Sequence, residues 1–427
     1  MQKYYILFLY IKFKLSGVII KGCKPLPQFN QTQIKGDNMR NTTVALKICT
    51  EYANQPVFNA LKQGFDLLGG LSAVIKPSHK VLIKPDLYCS SYPNEAKTTN
   101  PNIVSALAEL VAKIGAKCTI ADSPKGNFNP SLLDKAYVKT QMLEASNNGN
   151  ASLNTNHKIS TISNPNGKCC RDIYIIDAVN EADVIINVGK LRCDKNLGLI
   201  GCSQNLFGLI PGKFKNLIKS RCYELKSYYN YAIDLYEALE DKIVLNVLDG
   251  IVGNEANGDP RILNTLIVGE NPYAVDAVAL KIINQKPENN PLLIESTVRN
   301  KFEFNNTVLG DNLNGLICSD FKYPKLNSNV TKGSQAHFKR LYKATQKRPL
   351  ISSKLCKGCN VCTKTCPMKA ISMQKMPIGD SAIVNYTKCI SCFKCVDSCP
   401  YKIIKTKTPL RYAAIDRMIK KVHSDKR

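Results

Sequence analysis

Two cysteine runs near the carboxyl end constrain this 427-residue chain more than any other feature of its sequence. The first run has cysteines at positions 356, 359, 362 and 366, and the second has them at positions 389, 392, 395 and 399. Both read C-x2-C-x2-C-x3-C and end in proline. The following residues also match, Pro367-Met-Lys-Ala-Ile371 against Pro400-Tyr-Lys-Ile-Ile404, so this region is an internal repeat.

The spacing within each run suits a cubic iron–sulfur cluster. Three thiolates on a tight turn can converge on three corners of a cluster, while the fourth cysteine points to the other cluster. The sequence therefore predicts two [4Fe-4S] clusters with exchanged ligands, one on Cys356, Cys359, Cys362 and Cys399, the other on Cys389, Cys392, Cys395 and Cys366. A disulfide knot would need an oxidising compartment, and zinc sites would need more widely separated cysteine pairs, often with histidine.

The two runs, with the residues after their prolines, resemble the bacterial-type two-cluster ferredoxin domain. This resemblance implies electron transfer by a small α+β domain, which we place at residues 351–405. A module of this kind needs only about 50 residues, so most of the chain must form something else.

Ahead of the cysteine runs, short apolar strands alternate with helices. Strands are predicted at Thr43–Ile48, Lys80–Lys84, Cys118–Ala121, Asp183–Val188, Lys242–Leu248 and Leu263–Val268. Such strands, separated by helices, are typical of a parallel sheet that is covered on both faces. We therefore predict an α/β domain over residues 39–320, built on an open, mostly parallel, doubly wound sheet. A polar insertion up to Gly167 and a glycine-rich loop at Gly198–Gly212 interrupt the pattern.

The segments around the two domains carry less information. Residues 1–38 contain an apolar run of eight residues, whereas a membrane-spanning helix needs about 20, which argues against a membrane anchor. We expect translation to begin at Met39, with residues 1–38 a non-native extension or a disordered segment. Residues 321–350 read as a basic linker and residues 406–427 as a basic tail.

Charged side chains follow the predicted strands at one edge of the sheet. Lys84 and Asp86 end one strand, and Asp122, Lys190 and Asp249 end three others. Ligands of open α/β sheets bind beyond the carboxyl ends of the strands. Lys84 and Lys190 are thus predicted to bind an anionic group in one cleft, with Asp122 or Asp249 holding Mg²⁺ or transferring a proton. The alternative is that these candidate catalytic residues are ordinary turn residues, since Asp-Gly and Asp-Ser-Pro favour turns.

Seven short motifs occur in a recognisable order: Lys84-Pro85-Asp86, Thr99-Asn-Pro101, Ala121-Asp122-Ser123-Pro124, Ala182-Asp183-Val-Ile-Ile-Asn187-Val-Gly-Lys190, Asn205-Leu-Phe-Gly208, Asp249-Gly250-Ile and Ala274-Val-Asp276-Ala. Together they resemble the domain-of-unknown-function-362 family, many members of which carry a carboxyl-terminal ferredoxin module. Gln204 departs from the family pattern, which often has lysine before the Asn-Leu-Phe-Gly run. The resemblance covers roughly residues 42–320 and implies an iron–sulfur protein without a settled reaction.

Composition narrows the choice of partners. With 59 Lys and Arg against 33 Asp and Glu, the formal charge is +26, which suits an acidic redox protein or an anionic small molecule. The chain lacks tryptophan and any alternation of arginine with aromatic residues, which argues against nucleic acid. No Gly-x-Gly-x-x-Gly follows the first strand and no Walker A motif is present, which argues against a dinucleotide or ATP site.

The remaining cysteines indicate the cellular compartment in which the protein works. Ten of the 18 lie outside the two runs at irregular spacing, which predicts free thiols in a reducing cytoplasm. Five of them fall between Cys169 and Cys222, but no metal-ligand spacing recurs there, so a third metal or redox site is only hinted at.

Three functions stay open on the sequence. The first is an electron-transfer protein whose ferredoxin module serves a redox partner. The second is a self-contained iron–sulfur oxidoreductase that acts on an anionic small molecule in the α/β domain. The third is a basic nucleic-acid-binding protein with structural clusters.

Overall fold

The computed structural model describes residues 42–407, except 88–89, 127, 213, 216–217, 219–221, 223, 327–347, 367, 378, 387 and 390–392. The predictions for residues 1–38, and for most of the linker and of the tail, lie outside these residues. So does the predicted ligand Cys392. Within the described part of the chain, no helix combines the length and the apolarity needed to cross a bilayer.

A nine-stranded sheet organises the first part of the chain. Its strands are β1 (Val44–Ile48), β2 (Lys80–Pro85), β3 (Lys117–Ile120), β4 (Ser152–Leu153), β7 (Val184–Asp194), β8 (Gly198–Leu199), β9 (Ile243–Asn254), β10 (Pro260–Gly269) and β11 (Val308–Gly310). The order is β11-β1-β10-β9-β7-β2-β3-β4, and β8 pairs with β7. Along this row β10 is antiparallel to both neighbours, whereas the other pairs are parallel. The predicted open, mostly parallel sheet is confirmed.

Helices cover both faces of this sheet. They are α1 (Asn54–Leu67), α2 (Pro101–Lys113), α3 (Pro130–Lys139), α4 (Met142–Asn148), α5 (Ala178–Glu181), α6 (Gly201–Asn205), α7 (Leu225–Leu239), α8 (Pro272–Ile282) and α9 (Pro291–Val298). Helices α1–α4 contribute to the apolar core on one face, and α5–α9 contribute to the core on the other. Four helices begin at an Asn-Pro pair whose asparagine side chain accepts a backbone N–H of the first turn: α2, α3, α8 and α9.

Residues 348–407 form a small second unit. Strand β12 (Arg348–Ile351) pairs with β15 (Ile404–Lys407), and β13 (Ile371–Met376) pairs with β14 (Gly379–Val384). Two short helices, α10 (Val361–Thr365) and α11 (Lys394–Asp397), each contain the third cysteine of a run. The internal repeat is visible in the backbone, since Asn360 and Phe393, and likewise Lys369 and Lys402, have left-handed φ values at equivalent positions. This arrangement confirms the predicted α+β character of the unit, although β12 begins inside the predicted linker.

Several predicted boundaries were wrong. Strand β7 continues beyond Val188 and β9 continues beyond Leu248, because the Asp249-Gly250 pair lies within a strand and not in a turn. A Cβ on Gly250 would overlap the Thr265 side chain on the adjacent β10, so glycine is needed there for close strand contact. The predicted polar insertion, which ends at Gly167, contains β5 (Ile159–Ser163), and this strand forms a hairpin with β6 (Asp172–Ile176) just beyond it. The glycine-rich loop contains β8, α6 and a 3₁₀ turn.

Candidate functional site

The order of the strands reverses between β2 and β7. From β2 the chain proceeds to β3 and β4 on one side, and it later adds β7 and β9 on the other side. The carboxyl ends of strands at such a reversal form a crevice in open α/β sheets. Here that position holds a cavity of about 40 Å³, which we call the edge cavity, lined in part by Asp86, Asp122, Arg192 and Lys215. Its volume has room for a few waters or for one small group of a ligand.

A buried ion pair forms the floor of the edge cavity. Lys84 Nζ lies 3.1 Å from Asp122 Oδ1, and both side chains are almost completely buried. The ammonium group donates to the Pro85 carbonyl and to Asn205 Oδ1, at 2.8 Å each. Asp122 Oδ2 accepts the backbone N–H of Leu87, but Oδ1 accepts no hydrogen bond from any described residue. Asp122 therefore has hydrogen-bonding capacity left beside the cavity.

Gly208 lies directly against this ion pair. A Cβ at position 208 would overlap both Asp122 Oδ1 and Lys84 Nζ. Its carbonyl also accepts the backbone N–H of Ser123, at 2.8 Å. Glycine at the end of the Asn-Leu-Phe-Gly motif is thus explained by close packing of the backbone over two buried charges.

The second predicted pair belongs to a saturated network. Lys190 Nζ donates to Asp249 Oδ2 at 2.8 Å and to the Tyr52 hydroxyl at 2.9 Å. Asp249 also accepts from the Tyr52 hydroxyl at 2.8 Å and from the Asn100 backbone N–H at 3.0 Å. Burial lowers the pKa of Lys190, and the Asp249 charge opposes this shift. The network ties β7, β9 and the starts of α1 and α2 together.

The prediction that Lys84 and Lys190 share one cleft is wrong. Side chains alternate along a strand, and Ile83 and Val188 both belong to the core beneath α1–α4. Lys84 follows Ile83 by one residue and points to the opposite face, whereas Lys190 follows Val188 by two and points to the same face. In addition, each ammonium group already contacts a buried carboxylate. Anion binding and catalysis by Lys84, Asp122, Lys190 or Asp249 stay predictions.

Charged groups of the edge cavity that the sequence did not single out are Arg192, Asp194 and Lys215. Arg192 Nε lies 2.6 Å from Asp86 Oδ2, across β7 and the end of β2. Lys215 is buried and donates to the Ser123 carbonyl. Arg192 had a weak signal, because it follows Lys190 on the strand whose end was placed too early. For Lys215 the sequence contains no indication of a functional role, because this residue follows the glycine-rich segment in a stretch without a periodic pattern.

Asp276 on α8 caps the short helix α6 from outside. Its carboxylate accepts the backbone N–H groups of Cys202 at 2.6 Å and Ser203 at 3.0 Å, together with the Ser203 hydroxyl. Gly201 permits this approach, because it has a φ of +52° and a Cβ there would overlap the carboxylate. Complete burial raises the pKa of Asp276 to about 7, against the three hydrogen bonds that lower it.

This raised pKa predicts a measurable pH dependence of stability. The native carboxyl holds its proton up to about pH 7, while the unfolded one loses it near pH 4, so the free energy of unfolding should fall as pH rises between these values. The decrease from this group should be of the order of 4 kcal/mol at most. We expect Asp276→Asn to remove this slope. Urea unfolding of both proteins from pH 4 to 8 measures it, and identical slopes would contradict the assignment.

The structure brings the first set of predicted cluster ligands together. Cys356, Cys359 and Cys362 line one small cavity with Cys399, which comes from the other cysteine run. Apolar side chains, among them Ile351 and Ile404, form much of the rest of its wall, together with Lys357, Asn360 and Tyr401. Four thiols around one cavity, with apolar cover, are what a [4Fe-4S] cluster requires.

Local hydrogen bonds also suit thiolate ligands. Burial raises the pKa of Cys356, but backbone hydrogen bonds from Ala382 and Gly358 outweigh it and hold the pKa below its usual value. In the second set, Cys366 Sγ accepts the backbone N–H of Ala370 at 3.2 Å. Cys389 and Cys395 are buried in the same small apolar core, against which Cys366 packs. The described cysteines therefore fit iron–sulfur clusters, which carry single electrons when bound.

No such fit is seen for Mg²⁺ at the sheet edge. Asp86 and Asp122 each lie beside a cation, and the described His, Asp and Glu side chains form no group of three or more that is arranged to hold a metal ion. The Mg²⁺ site stays a prediction.

Comparison with known proteins supports both parts of this description. Residues 81–281 match the family model described as domain of unknown function (DUF362), and residues 355–411 match that of the 4Fe-4S dicluster domain. Both resemblances seen in the sequence are thus confirmed. The chain is also similar to the thylakoid-associated protein sll1697 of Synechocystis sp. (strain ATCC 27184 / PCC 6803 / Kazusa), with 27% identity over 262 residues, covering 59% of this chain and 77% of that protein.

Among solved structures, the lactate racemase apoprotein from Thermoanaerobacterium thermosaccharolyticum superposes weakly on the chain. The TM-score is 0.35 with 14% identity, and the match covers 56% of this chain and 57% of the racemase. The chain therefore spans little more than half of the racemase. At this score the superposition supports no conclusion about shared chemistry.

Proposed function

We propose that this protein transfers electrons through two [4Fe-4S] clusters in its carboxyl-terminal unit, and that its DUF362 domain binds the ligand or partner that these electrons serve. The 4Fe-4S dicluster match gives the iron–sulfur chemistry. The observation that supports exchanged ligands is the cavity lined by Cys356, Cys359, Cys362 and Cys399. A cavity that uses cysteines of both runs is expected when the runs exchange their fourth ligands.

Iron–sulfur clusters need a reducing environment, and the free thiols elsewhere in the chain are consistent with one. None of the described cysteines forms a disulfide, and eight of them belong to the α/β domain. We accordingly propose that the protein works in a reducing compartment such as the cytoplasm, with an acidic protein or an anionic small molecule as its redox partner.

A second candidate function is that of a self-contained oxidoreductase. It is favoured by the edge cavity at the strand reversal, where the buried Asp122 Oδ1 lies 3.1 Å from the Lys84 ammonium but accepts no hydrogen bond from a described residue. A substrate hydroxyl or amine in the cavity could donate to this oxygen, and Arg192 and Lys215 on its walls could contact an anionic group. Reduced protein that turns over a small molecule without a second protein would favour this candidate over the electron carrier.

Anaerobically reconstituted protein is expected to bind about eight irons and eight sulfides per chain. Reductive titration should then consume about two electrons per chain, one for each cluster. Elemental analysis and a titration followed by visible absorption measure both quantities. Tightly bound zinc, or about four irons with all eight cysteines intact, would contradict two clusters. Eight irons with no reducible absorption would contradict electron transfer.

A further inference from the structure

A second and larger cavity lies between the α/β domain and the dicluster unit. We call it the junction cavity. Its volume is about 330 Å³, within the range of small-molecule sites, and it is lined from one side by Gly167–Arg171, Cys222 and Ser227. From the other side it is lined by Met368, Lys369 and Lys388. Neither domain forms this cavity alone.

The α/β wall of the junction cavity is held in place from behind. Three successive backbone N–H groups, those of residues 168 to 170, donate to the carboxylate of Asp234 on α7 at 2.6 to 2.9 Å. Asp234 is fully buried and lies 2.7 Å from Arg299. The turn between β5 and β6 is thus fixed by a carboxylate whose charge is already balanced. The wall is therefore formed before any ligand binds.

The other wall is next to the predicted ligands of the second cluster. Met368 and Lys369 come two and three residues after Cys366, and Lys388 directly precedes Cys389. Met368 packs against the apolar core of the α/β domain and also against that of the dicluster unit. A molecule in the junction cavity would consequently lie close to the second cluster.

The charged side chains that line the junction cavity are all positive. Four cations line it, Lys168, Arg171, Lys369 and Lys388, and none of them forms an ion pair with another described residue. No Asp or Glu is found among the described lining residues. Glu295 lies behind the wall but is paired with Lys226 at 2.8 Å.

The three thiols of the cavity leave this positive charge intact. Burial raises the pKa of Cys169 to about 11 and that of Cys222 to about 12, and it also raises the pKa of Cys170. All three thiols are therefore neutral at pH 7 and add a polarizable but uncharged surface.

We propose that the junction cavity binds a small, multiply charged anion, bearing phosphate or carboxylate groups, beside the second cluster. This inference rests on the proposed function, because it gives the cluster-bearing unit a ligand. It differs from the edge cavity in position, charge and lining. A reduced cluster carries one more negative charge than an oxidised one, so the bound anion and the added electron oppose each other. Anion binding should therefore make reduction less favourable.

The test uses the anaerobic holoprotein with inorganic pyrophosphate and, separately, citrate, which distinguish phosphate from carboxylate recognition. Calorimetry should detect binding of at least one of them. Lys168→Gln/Arg171→Gln removes two cations on the α/β wall, away from the cluster ligands, and should weaken binding by about 10-fold or more. The matched control Lys76→Gln/Lys117→Gln removes two exposed cations outside the cavity and should leave the affinity unchanged.

Redox titration provides the second readout. If the oxidised protein binds the anion ten times more tightly than the reduced protein, the midpoint potential of a cluster falls by about 59 mV when the anion saturates. The shift should be absent in Lys168→Gln/Arg171→Gln. Three results would each overturn the inference: no binding of either anion, equal loss of affinity in the control pair, or binding without a change in potential. In all three cases normal iron content and normal reduction would leave the proposed function standing.

Discussion

Replacing Lys84 with methionine is expected to lower the free energy of unfolding by about 3–5 kcal/mol, which is among the largest effects of any single substitution in the α/β domain. The Lys84 side chain is fully buried. Its ammonium group pairs with Asp122 and donates hydrogen bonds to Asn205 and to the Pro85 carbonyl. Methionine fills similar space but leaves the Asp122 carboxylate as a buried, unpaired charge. Urea unfolding followed by far-ultraviolet circular dichroism measures the decrease in the free energy of unfolding. The iron content of the variant should equal that of the unchanged protein, because the clusters lie in the other unit.

Two further variants separate charge from packing. Asp122→Asn removes the negative charge but can still accept the Leu87 backbone N–H, so Lys84→Met/Asp122→Asn should recover part of the stability lost in Lys84→Met. Lys62→Met makes the same substitution in an exposed ion pair with Asp66 and should change stability by less than about 1 kcal/mol. If Lys84→Met were no more destabilising than Lys62→Met, the buried pair would not hold the sheet edge together.

The sheet could be predicted because its signals are local. Runs such as Val81–Ile83 are apolar throughout, as buried parallel strands are, and Asn-Pro pairs mark the helix starts. The end of a strand is different, because it depends on pairing. Strand β7 reads as finished at Gly189-Lys190, yet it continues because Lys190 pairs in register with Asp249 on β9. That register is a tertiary contact, and neither strand shows it alone.

The same limit explains the error in the candidate site. Lys84 and Lys190 were correctly assigned to neighbouring strands, but their faces depend on how β2 aligns with β7. The structure places Lys84 opposite Asn187, three residues from Lys190, and an odd offset reverses the face. The junction cavity could not be predicted from the sequence, because its walls come from residues about 200 positions apart that are brought together only by tertiary packing.

The cluster cysteines could be predicted from spacing, and the exchange of ligands gives the most decisive prediction. We expect Cys399→Ser to lose the cluster built on the first run, so that iron falls from about eight to about four per chain. The reason is that Cys399 lines one cavity with Cys356, Cys359 and Cys362, although it belongs to the second run. Cys318→Ser is the control, because this half-buried thiol lies outside both runs and should leave iron at about eight.

Pairs of substitutions identify which cluster each cysteine serves. With exchanged ligands, Cys356→Ser/Cys399→Ser damages one cluster twice and should retain about four irons, as the single variants do. Cys389→Ser/Cys399→Ser damages both clusters and should retain almost none. If each run held its own cluster, the two results would be reversed, with iron kept in the second pair and lost in the first. Iron analysis of the two single variants and the two double variants, all prepared anaerobically, thus distinguishes the two arrangements. Each arrangement predicts that a different double variant contains almost no iron.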